Sequence, residues 1–248
     1  MAGNPRRMAF LGIFGKKDGG GAVRKHAERV ANKRAQAYDR WESIQALAQV
    51  KSKEAVEALL PRFTFYVEPS ITDQEEKDAT FAAIVDAGAV GLEPVVAFLK
   101  KNASISWPVK ILDRIVPPEI VLAQLLDLLA GMDIEYERDP ERKIQVLTTL
   151  AERKGESVAE AAVRFLSDSN ESVRFAAVGA IVGHDATATY KTALITCLCD
   201  DESVRVRNRI LDALVAGAIS VSPEQARVKA RLTSGYSLDS AGVPRKKG

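Results

Sequence analysis

Hydrophobic residues follow a helical spacing along most of the chain, and the alternation that indicates a β-strand never extends over more than a few residues. Residues typical of helix starts occur between the apolar segments: Thr72 with Glu75, and Ser222 with Gln225, each fit a capping box. Glycines that suit helix ends follow other segments, at Gly88, Gly155, Gly183 and Gly217. The pattern predicts an all-α protein with helices near residues 24–49, 53–66, 74–87, 92–102, 107–116, 118–130, 140–154, 157–167, 171–182, 187–199, 202–216 and 223–233.

A short motif repeats in the second half of the chain. Glu171–Arg174 reads Glu-Ser-Val-Arg, and the same four residues recur 31 positions later as Glu202–Arg205. Steps of 31 and then 33 positions back from Arg174 lead to Lys143 and Lys110, each beside apolar residues. A period of about 30–34 residues with two helices per unit is typical of an α-solenoid, in which stacked helical hairpins bury one another's apolar faces.

Two segments resemble the HEAT-repeat signature, in which an aspartate precedes Val-Arg and then an alanine at fixed spacing: Asp168–Ala177 and the shorter Asp200–Arg205. The likeness is closest to the bacterial HEAT repeats first associated with phycobilisome lyases. It is strong over residues 139–216, fair over 74–138, and rests on the number of helices over 24–66. The resemblance implies an α-solenoid of about six HEAT-type hairpins over residues 23–234. It also implies that recurrent aspartates and arginines bond between adjacent repeats, here Asp168, Arg174, Asp201 and Arg205.

The resemblance also implies a function. In HEAT proteins the second helix of each hairpin lines a concave face, so the chain is expected to be a non-catalytic scaffold or adaptor that binds a protein partner there. The identity of that partner stays open. The side chains expected to contribute from second helices are Lys100, Lys101, Arg164, Tyr190 and Lys191.

The net charge of +2 hides an uneven distribution along the chain. Residues 1–40 carry 10 Lys and Arg against 3 Asp and Glu, residues 41–223 carry 19 against 28, and residues 224–248 carry 6 against 2. The basic ends indicate either contact with an anionic surface or simply solvated termini. The acidic middle disfavours nucleic acid as a partner because it repels phosphates.

Residues 1–22 are expected to form a flexible leader that is both basic and apolar. On a helical wheel its apolar side chains fall on one side and two lysines follow, which gives the candidate contact residues Phe10, Leu11, Ile13, Phe14, Lys16 and Lys17. This segment fits three interpretations: a weak anchor at a membrane surface, a helix docked in a partner's groove, or a lid over the first repeat. Met8 also fits as an alternative start of the chain.

The remaining segments complete the expected organisation. Residues 235–248 are polar and basic and are expected to be a disordered tail. Because a membrane-spanning helix needs roughly 20 apolar residues and none such is evident, no membrane span is expected. The cytoplasm is therefore the expected location.

Residues with catalytic or metal-binding chemistry are few. Cys197 and Cys199 lie two positions apart in one apolar run, where they point to different faces of a helix and pair poorly with each other. His26 and His184 are far apart and lack neighbours suited to zinc. Gly19–Gly21 lacks the preceding strand and the following Lys-Ser/Thr of a phosphate loop. No catalytic residue, cofactor or metal is therefore predicted.

Two enzyme-related alternatives follow from the resemblance: a chromophore-lyase-like and a DNA-glycosylase-like HEAT protein. HEAT-like alkylpurine DNA glycosylases use tryptophans with an aspartate in their concave groove, and here Trp107 lies near Asp113 and Arg114. Few other aromatic and basic residues accompany this trio. A packing role for Trp107, in the core or between repeats, is therefore favoured over a base-binding one.

A basic stripe on one predicted helix contains Arg205, Arg207 and Arg209. Residues four apart share a helix face, so Arg205 and Arg209 lie together and Arg207 points elsewhere. The stripe is a further candidate for contact with a partner.

Overall fold

The computed structural model describes residues 19–247 of the chain. Helices dominate this part, and the predicted all-α class is confirmed. Three short 3₁₀ helices cover Leu60–Thr64, Gly88–Gly91 and Arg164–Ser167, and one antiparallel hairpin pairs β1 (Tyr236–Leu238) with β2 (Pro244–Lys246). The α-helices are α1 (Gly19–Val30), α2 (Ala37–Ala48), α3 (Lys53–Leu59), α4 (Ser70–Ala87), α5 (Leu92–Lys101), α6 (Ser106–Ile115), α7 (Pro118–Ala130), α8 (Glu141–Ala151), α9 (Ser157–Val163), α10 (Glu171–Gly183), α11 (Lys191–Asp200), α12 (Val204–Ala216) and α13 (Gln225–Arg231).

The largest departure from the predicted helices lies near the start of the described part. One helix was expected over residues 24–49, but the structure has two, α1 and α2. In the turn between them the side-chain oxygen of Asn32 accepts a hydrogen bond from the Arg34 amide at 2.9 Å. Asparagine favours such turns because its side chain bonds the backbone two residues on. Moreover, α1 begins at Gly19, inside the leader predicted over residues 1–22.

Neither predicted capping box forms. α4 begins two residues before Thr72, and α13 begins three residues after Ser222, so neither side chain occupies the position that caps a helix start. Side-chain caps are found instead at three other helix starts, where an oxygen accepts a hydrogen bond from an amide of the first turn. The capping residues are Ser52 for α3, Asn170 for α10 and Ser203 for α12.

The first compact unit extends to Val95. In this unit α2 packs beside α4, and α1 packs beside α3. A buried ionic network joins these elements: the Arg40 guanidinium donates to the Glu76 carboxylate at 2.9 Å, and Arg62 donates to Glu76 at 2.6 Å and to Asp73 at 2.8 Å. Mutual pairing offsets the cost of removing these four charged groups from water.

The second compact unit begins at Val96 and contains two layers of helices. The first layer consists of α8, α10 and α12, each packed beside the next. The second layer consists of α7, α9, α11 and α13: α7 packs beside α9, the 3₁₀ helix after α9 packs beside α11, and α11 packs beside α13. Contacts therefore run mainly between helices that are close in sequence order.

Close backbone contact joins the first-layer helices where α10 ends. A Cβ atom at Gly183 would lie 2.6 Å from the backbone oxygen of Ala151 in α8, so a larger residue does not fit without movement. The next residue, His184, donates from Nε2 to the Leu150 backbone oxygen at 3.0 Å. Fully buried aliphatic residues such as Leu147 pack in the same layer.

Residues 235–247 differ from the expected disordered tail, because they include the β1–β2 hairpin, and β2 packs against α12. Tyr236 is buried, and its hydroxyl donates to Asp212 of α12 at 2.7 Å. In the turn between the strands, Asp239 accepts a hydrogen bond from the Val243 amide at 2.9 Å. The sequence of a short polar segment with glycines is typical of disorder, but Tyr236, Val243 and Pro244 are buried here.

One helical segment of the described part, Ser70–Lys101, is long and apolar enough to cross a membrane by length and composition alone. Of its most apolar 18-residue stretch, 33% is buried inside the protein. No such segment was expected from the apolar residues of the sequence. Its backbone changes from α-helix to 3₁₀ helix at Gly88, where φ is 68°. Core helices pass the same test of length and composition, so the segment is weak evidence for a membrane location.

Candidate partner-binding site

A buried lysine–aspartate pair ties α8 to the start of α10. The Asp168 carboxylate accepts a hydrogen bond from Lys143 Nζ at 3.0 Å, and both side chains are almost fully buried. Asp168 also accepts a hydrogen bond at 2.8 Å from the amide of Asn170, the residue that caps α10. The pair therefore fixes where α10 begins relative to α8.

The same arrangement recurs between α10 and α12. Arg174 donates to Asp201 through Nε at 2.7 Å and through Nη2 at 2.9 Å, and Asp201 accepts from the amide of the capping residue Ser203 at 2.8 Å. Burial alone would raise the pKa of Asp201. The hydrogen bonds from Arg174 and from the Ser203 amide outweigh burial and hold that pKa below its ordinary value. The contacts of Asp168, Arg174 and Asp201 agree with the role expected for them between repeats.

Arg207, and not Arg205, is the structural equivalent of Arg174. Arg174 Nη1 donates to the backbone oxygens six and five positions before it, at 2.9 and 3.2 Å, and Arg207 Nη1 does the same at 2.8 and 2.9 Å. The capping residues Asn170 and Ser203 are also 33 positions apart. Equivalent residues of the two segments are therefore 33 positions apart, two more than the spacing of the Glu-Ser-Val-Arg motif. Arg205 still contacts α10, through Glu171 at 3.8 Å and through the Phe175 ring, whereas Arg174 bonds Asp201.

Three lysines expected at a partner-binding face have different surroundings. Lys100 Nζ lies 2.7 Å from the Asp127 carboxylate, whereas Lys101 is exposed at the end of α5. Lys191 Nζ donates to the Ser222 backbone oxygen at 3.2 Å. Two of the three therefore already have contacts within the chain, and the contact of all three with a partner stays a prediction.

Arg164 and Tyr190, the other two expected partner-binding residues, line separate cavities. Arg164 borders one of about 660 Å³, and its Nη2 donates to the Leu129 backbone oxygen at the end of α7, at 2.6 Å. Tyr190 borders another of about 540 Å³ between the loops after α8 and α10. The structure does not bring the five expected residues together in one cavity.

Cys197 lines the same cavity as Arg164, but its surroundings keep its thiol protonated. Burial, with the nearby charge of Asp201, raises the pKa of Cys197 to about 12. Its Sγ lies 3.5 Å from the Leu166 backbone oxygen. Since the thiolate is the reactive form of cysteine, this environment does not favour nucleophilic chemistry.

Trp107 and Asp113, the pair considered for a DNA-glycosylase-like groove, both have contacts within the chain. Trp107 is half-buried, and Lys110 Nζ lies 4.9 Å from the centroid of its ring. Both oxygens of Asp113 accept hydrogen bonds from Arg153 at 2.8 Å. The aspartate of this pair is therefore engaged with a guanidinium, as a residue that links helices would be.

Two arginines and a phenylalanine form a cluster where α10 and α12 pack side by side. The guanidinium carbons of Arg205 and Arg209 lie 3.9 and 4.1 Å from the centroid of the Phe175 ring. Cations favour this position because the face of an aromatic ring carries partial negative charge. We call these three residues the Arg–Phe cluster. As expected from the sequence, Arg205 and Arg209 share one face of α12, while Arg207 points elsewhere.

Packing against α10 fixes the position of the Arg209 side chain. Its guanidinium lies against α10 at Gly179, where an added Cβ would collide with it. Among residues 19–247 it has no hydrogen bond or ion pair, whereas Arg205 lies 3.8 Å from Glu171. Burial, with the charge of Arg205, lowers the pKa of Arg209, although a guanidinium remains protonated at neutral pH.

The Arg–Phe cluster borders a cavity of about 540 Å³ that is also lined by Val204, Asn208 and Asp212. Val204 is 52% exposed, so apolar surface adjoins the two positive charges. The negative charge of Asp212 is balanced by Lys246, whose Nζ lies 2.7 Å from the carboxylate, and Asp212 also accepts a hydrogen bond from the Tyr236 hydroxyl. The cavity therefore combines an aromatic ring, an aliphatic side chain and two guanidiniums.

The leader residues proposed as contacts fall outside the described residues: Phe10, Leu11, Ile13, Phe14, Lys16 and Lys17. The anchor, docking and lid interpretations all stay predictions. Within residues 19–247, no group of three or more His, Cys, Asp or Glu side chains is arranged to hold a metal ion.

No model of a known protein family matches the chain, and a comparison with curated proteins finds no match. The likeness to HEAT repeats therefore depends on the motif residues of the sequence.

Phe175 and Gly179 were not identified from the sequence as candidate site residues. They lie four positions apart on α10, as Arg205 and Arg209 do on α12. Residues four apart share a helix face, so this equal spacing could have indicated that the two pairs face each other. Pairing the two faces also requires knowing that α10 and α12 are neighbours, with a period of 33 residues.

Proposed function

We propose that the chain is a HEAT-like α-solenoid that acts as a non-catalytic scaffold and binds a protein partner. The observation that carries this proposal is the repeated ionic contact between successive first-layer helices, from Lys143 to Asp168 and from Arg174 to Asp201. Helices that stack on their neighbours in this way form a broad surface from short repeating units. A surface that is already ordered loses little conformational entropy when a partner binds.

Two faces are candidates for the contact. The resemblance favours the second layer, where Arg164 and Lys191 lie near or on the helices. The Arg–Phe cluster favours the first layer, because Arg209 there is without an acidic partner among the described residues.

A photoreactive amino acid placed in the chain within its native cells would test the proposal. It is introduced singly at Asn208 in the first layer, at Lys101 at the end of α5, and at Tyr136 in the loop after α7, which is 82% exposed. We expect a covalent adduct with one defined protein from Asn208 or Lys101, identified by mass spectrometry, and none of comparable yield from Tyr136. Tyr136 is the control because it is more exposed than Asn208, so random collision would label it at least as readily.

Adducts of equal yield from all three positions would indicate random collision and would contradict the proposal. Adducts with DNA or RNA alone would favour a function based on nucleic acid, including the DNA-glycosylase-like alternative. Absence of any protein adduct from both helical positions would also contradict a protein-binding scaffold.

A further inference from the structure

We propose that the Arg–Phe cluster binds the carboxylates of an acidic peptide segment, and that this segment belongs to the partner of the scaffold. The inference depends on the proposed function, because it names the chemistry of the partner at one surface. The first argument is charge. The two guanidinium carbons lie within 4.1 Å of the same ring centroid, and of the two only Arg205 forms an ion pair within 4 Å in the described part.

Like charges held this close repel each other, and an incoming anion relieves that repulsion. Guanidinium groups suit carboxylates in particular, because two parallel N–H donors match the two carboxylate oxygens. Glu171 does not supply this contact to Arg209, and at 3.8 Å from Arg205 it is too distant for a hydrogen bond to that residue.

The second argument is that the arginines are already held in position. The Phe175 ring supports both guanidiniums, and the missing side chain at Gly179 leaves the space that Arg209 occupies. Flexible arginines lose side-chain entropy when they bind an anion, and prior positioning reduces that loss. Both features come from α10, so the site exists only where α10 and α12 adjoin.

The third argument favours a peptide over a phosphate polymer. Val204 is 52% exposed beside the arginines, and the Phe175 ring lines the same cavity. Such apolar surface suits the side chains that flank a carboxylate in a peptide. Glu171 borders the cluster and limits its positive surface to a small area, which suits a short acidic segment better than the continuous charge of a nucleic acid.

The basic leader of the chain itself is a poor occupant for the same electrostatic reason. Its sequence carries Arg6, Arg7, Lys16 and Lys17, and cations would be repelled by the two arginines. A separate acidic segment is therefore favoured over the chain's own N-terminal residues.

Fluorescence anisotropy with a labelled peptide would test the inference. The probe contains two adjacent glutamates flanked by leucines, and the comparison probe has glutamines in place of the glutamates. We expect the full chain to bind the glutamate peptide at least about tenfold more tightly than the glutamine peptide, because charge-assisted bonds are lost in the latter. Affinity for the glutamate peptide should also fall as salt concentration rises.

Arg209→Gln should weaken binding of the glutamate peptide by about tenfold, as should Gly179→Ala, which retains Arg209 but displaces its guanidinium. Arg227→Gln is the matched control: Arg227 lies on α13 and is exposed, and its loss should leave binding unchanged. Circular dichroism would verify that each variant is folded. Gly179→Ala provides an independent test if Arg209→Gln does not fold.

Equal affinity for both peptides, or unchanged binding by folded Arg209→Gln and Gly179→Ala, would overturn the inference. Tighter binding of a DNA oligonucleotide, lost in the same two variants, would also overturn it and would assign the cluster to nucleic acid. These failures are distinguishable from failure of the scaffold function. A specific protein adduct from Asn208 or Lys101 would persist if only the acidic-segment inference were wrong.

Discussion

Basic side chains in the second unit form many of their bonds across helix boundaries. Arg142 Nη2 donates to the backbone oxygen of Leu99 at the end of α5, at 2.8 Å, and Arg164 Nη2 donates to that of Leu129 at the end of α7. The last carbonyl groups of a helix have no partner within it, so a guanidinium from a later element satisfies them. Arg142 and Arg164 therefore have a structural role at helix ends, and Arg209 differs from them in having no such bond in the described part.

Replacing Asp201 by alanine should destabilise the second unit strongly. The change leaves Arg174 without the carboxylate that it bonds through two nitrogens, and it removes a hydrogen-bond acceptor of the Ser203 amide. We expect the free energy of unfolding to fall by about 3 kcal/mol, measured by urea denaturation. The neighbouring Asp200→Ala is the control: it breaks only an exposed pair with Arg227 and should cost less than about 1 kcal/mol. Equal losses would contradict a structural role for Asp201.

Acid should destabilise the protein through the same carboxylates. The pKa of Asp201 lies below its ordinary value of 3.8 in the folded state, and that of Asp73 is also lowered because bonds from Lys77 and Arg62 outweigh burial. A lowered folded pKa stabilises the fold above the unfolded pKa, and this contribution is lost as pH falls through the folded pKa. Between about pH 6 and about pH 3, Asp201→Asn should therefore lose less stability than the unchanged chain, measured by urea denaturation. An identical pH dependence would contradict this.

At the scale of elements, the position of each arginine along its helix decides its role. α10 begins after Asn170, so the first Glu-Ser-Val-Arg motif starts at the first residue of that helix. α12 begins after Ser203, so the second motif starts two residues before its helix. Arg207 therefore bonds the turn that precedes α12, and Arg205 contacts Phe175 instead. Two segments with the same four residues therefore make different contacts.

The 33-residue spacing predicts that substitutions of Arg207 and Arg205 change the stability of the fold by different amounts. Arg207→Ala removes hydrogen bonds of 2.8 and 2.9 Å to two backbone oxygens before α12, and it should lower the free energy of unfolding by about 1 kcal/mol. Arg205→Ala removes an exposed side chain and should change stability by no more than about 0.5 kcal/mol. Thermal and urea unfolding would measure both. A larger loss for Arg205→Ala would support the 31-residue register over the 33-residue one.

At the scale of the whole molecule, the chain consists of two compact units whose contacts are mainly local in sequence. In such an arrangement each helix is stabilised chiefly by its neighbours. The C-terminal hairpin has this role for α12, since β2 packs on that helix and Tyr236 bonds Asp212. The hairpin therefore stabilises α12, the last helix of the first layer.

Removing residues 235–248 should consequently loosen the end of the second unit first. We expect amide hydrogen exchange to accelerate in α12 and α13, while amides of α8 retain their protection. Mass spectrometry of peptides after exchange would measure both regions in one experiment. Equal acceleration in α8 would contradict local stabilisation and would indicate that the unit unfolds as a whole.

The amino-acid sequence alone predicted most of the helices, because the apolar spacing of α6, α7 or α10 reflects a local backbone geometry that a short stretch of residues already contains. It also indicated that Arg205 and Arg209 share a face. The break between α1 and α2 could not be predicted, because one asparagine that sets a turn is a weak local signal. The hairpin around Tyr236 could not be predicted either, because it depends on a few apolar residues that are buried only in the fold. The carboxylate that each arginine bonds, and the positioning of Arg209 by Phe175 and Gly179, became clear from the folded structure. Those contacts join residues about 30 positions apart, and their register depends on where each helix begins.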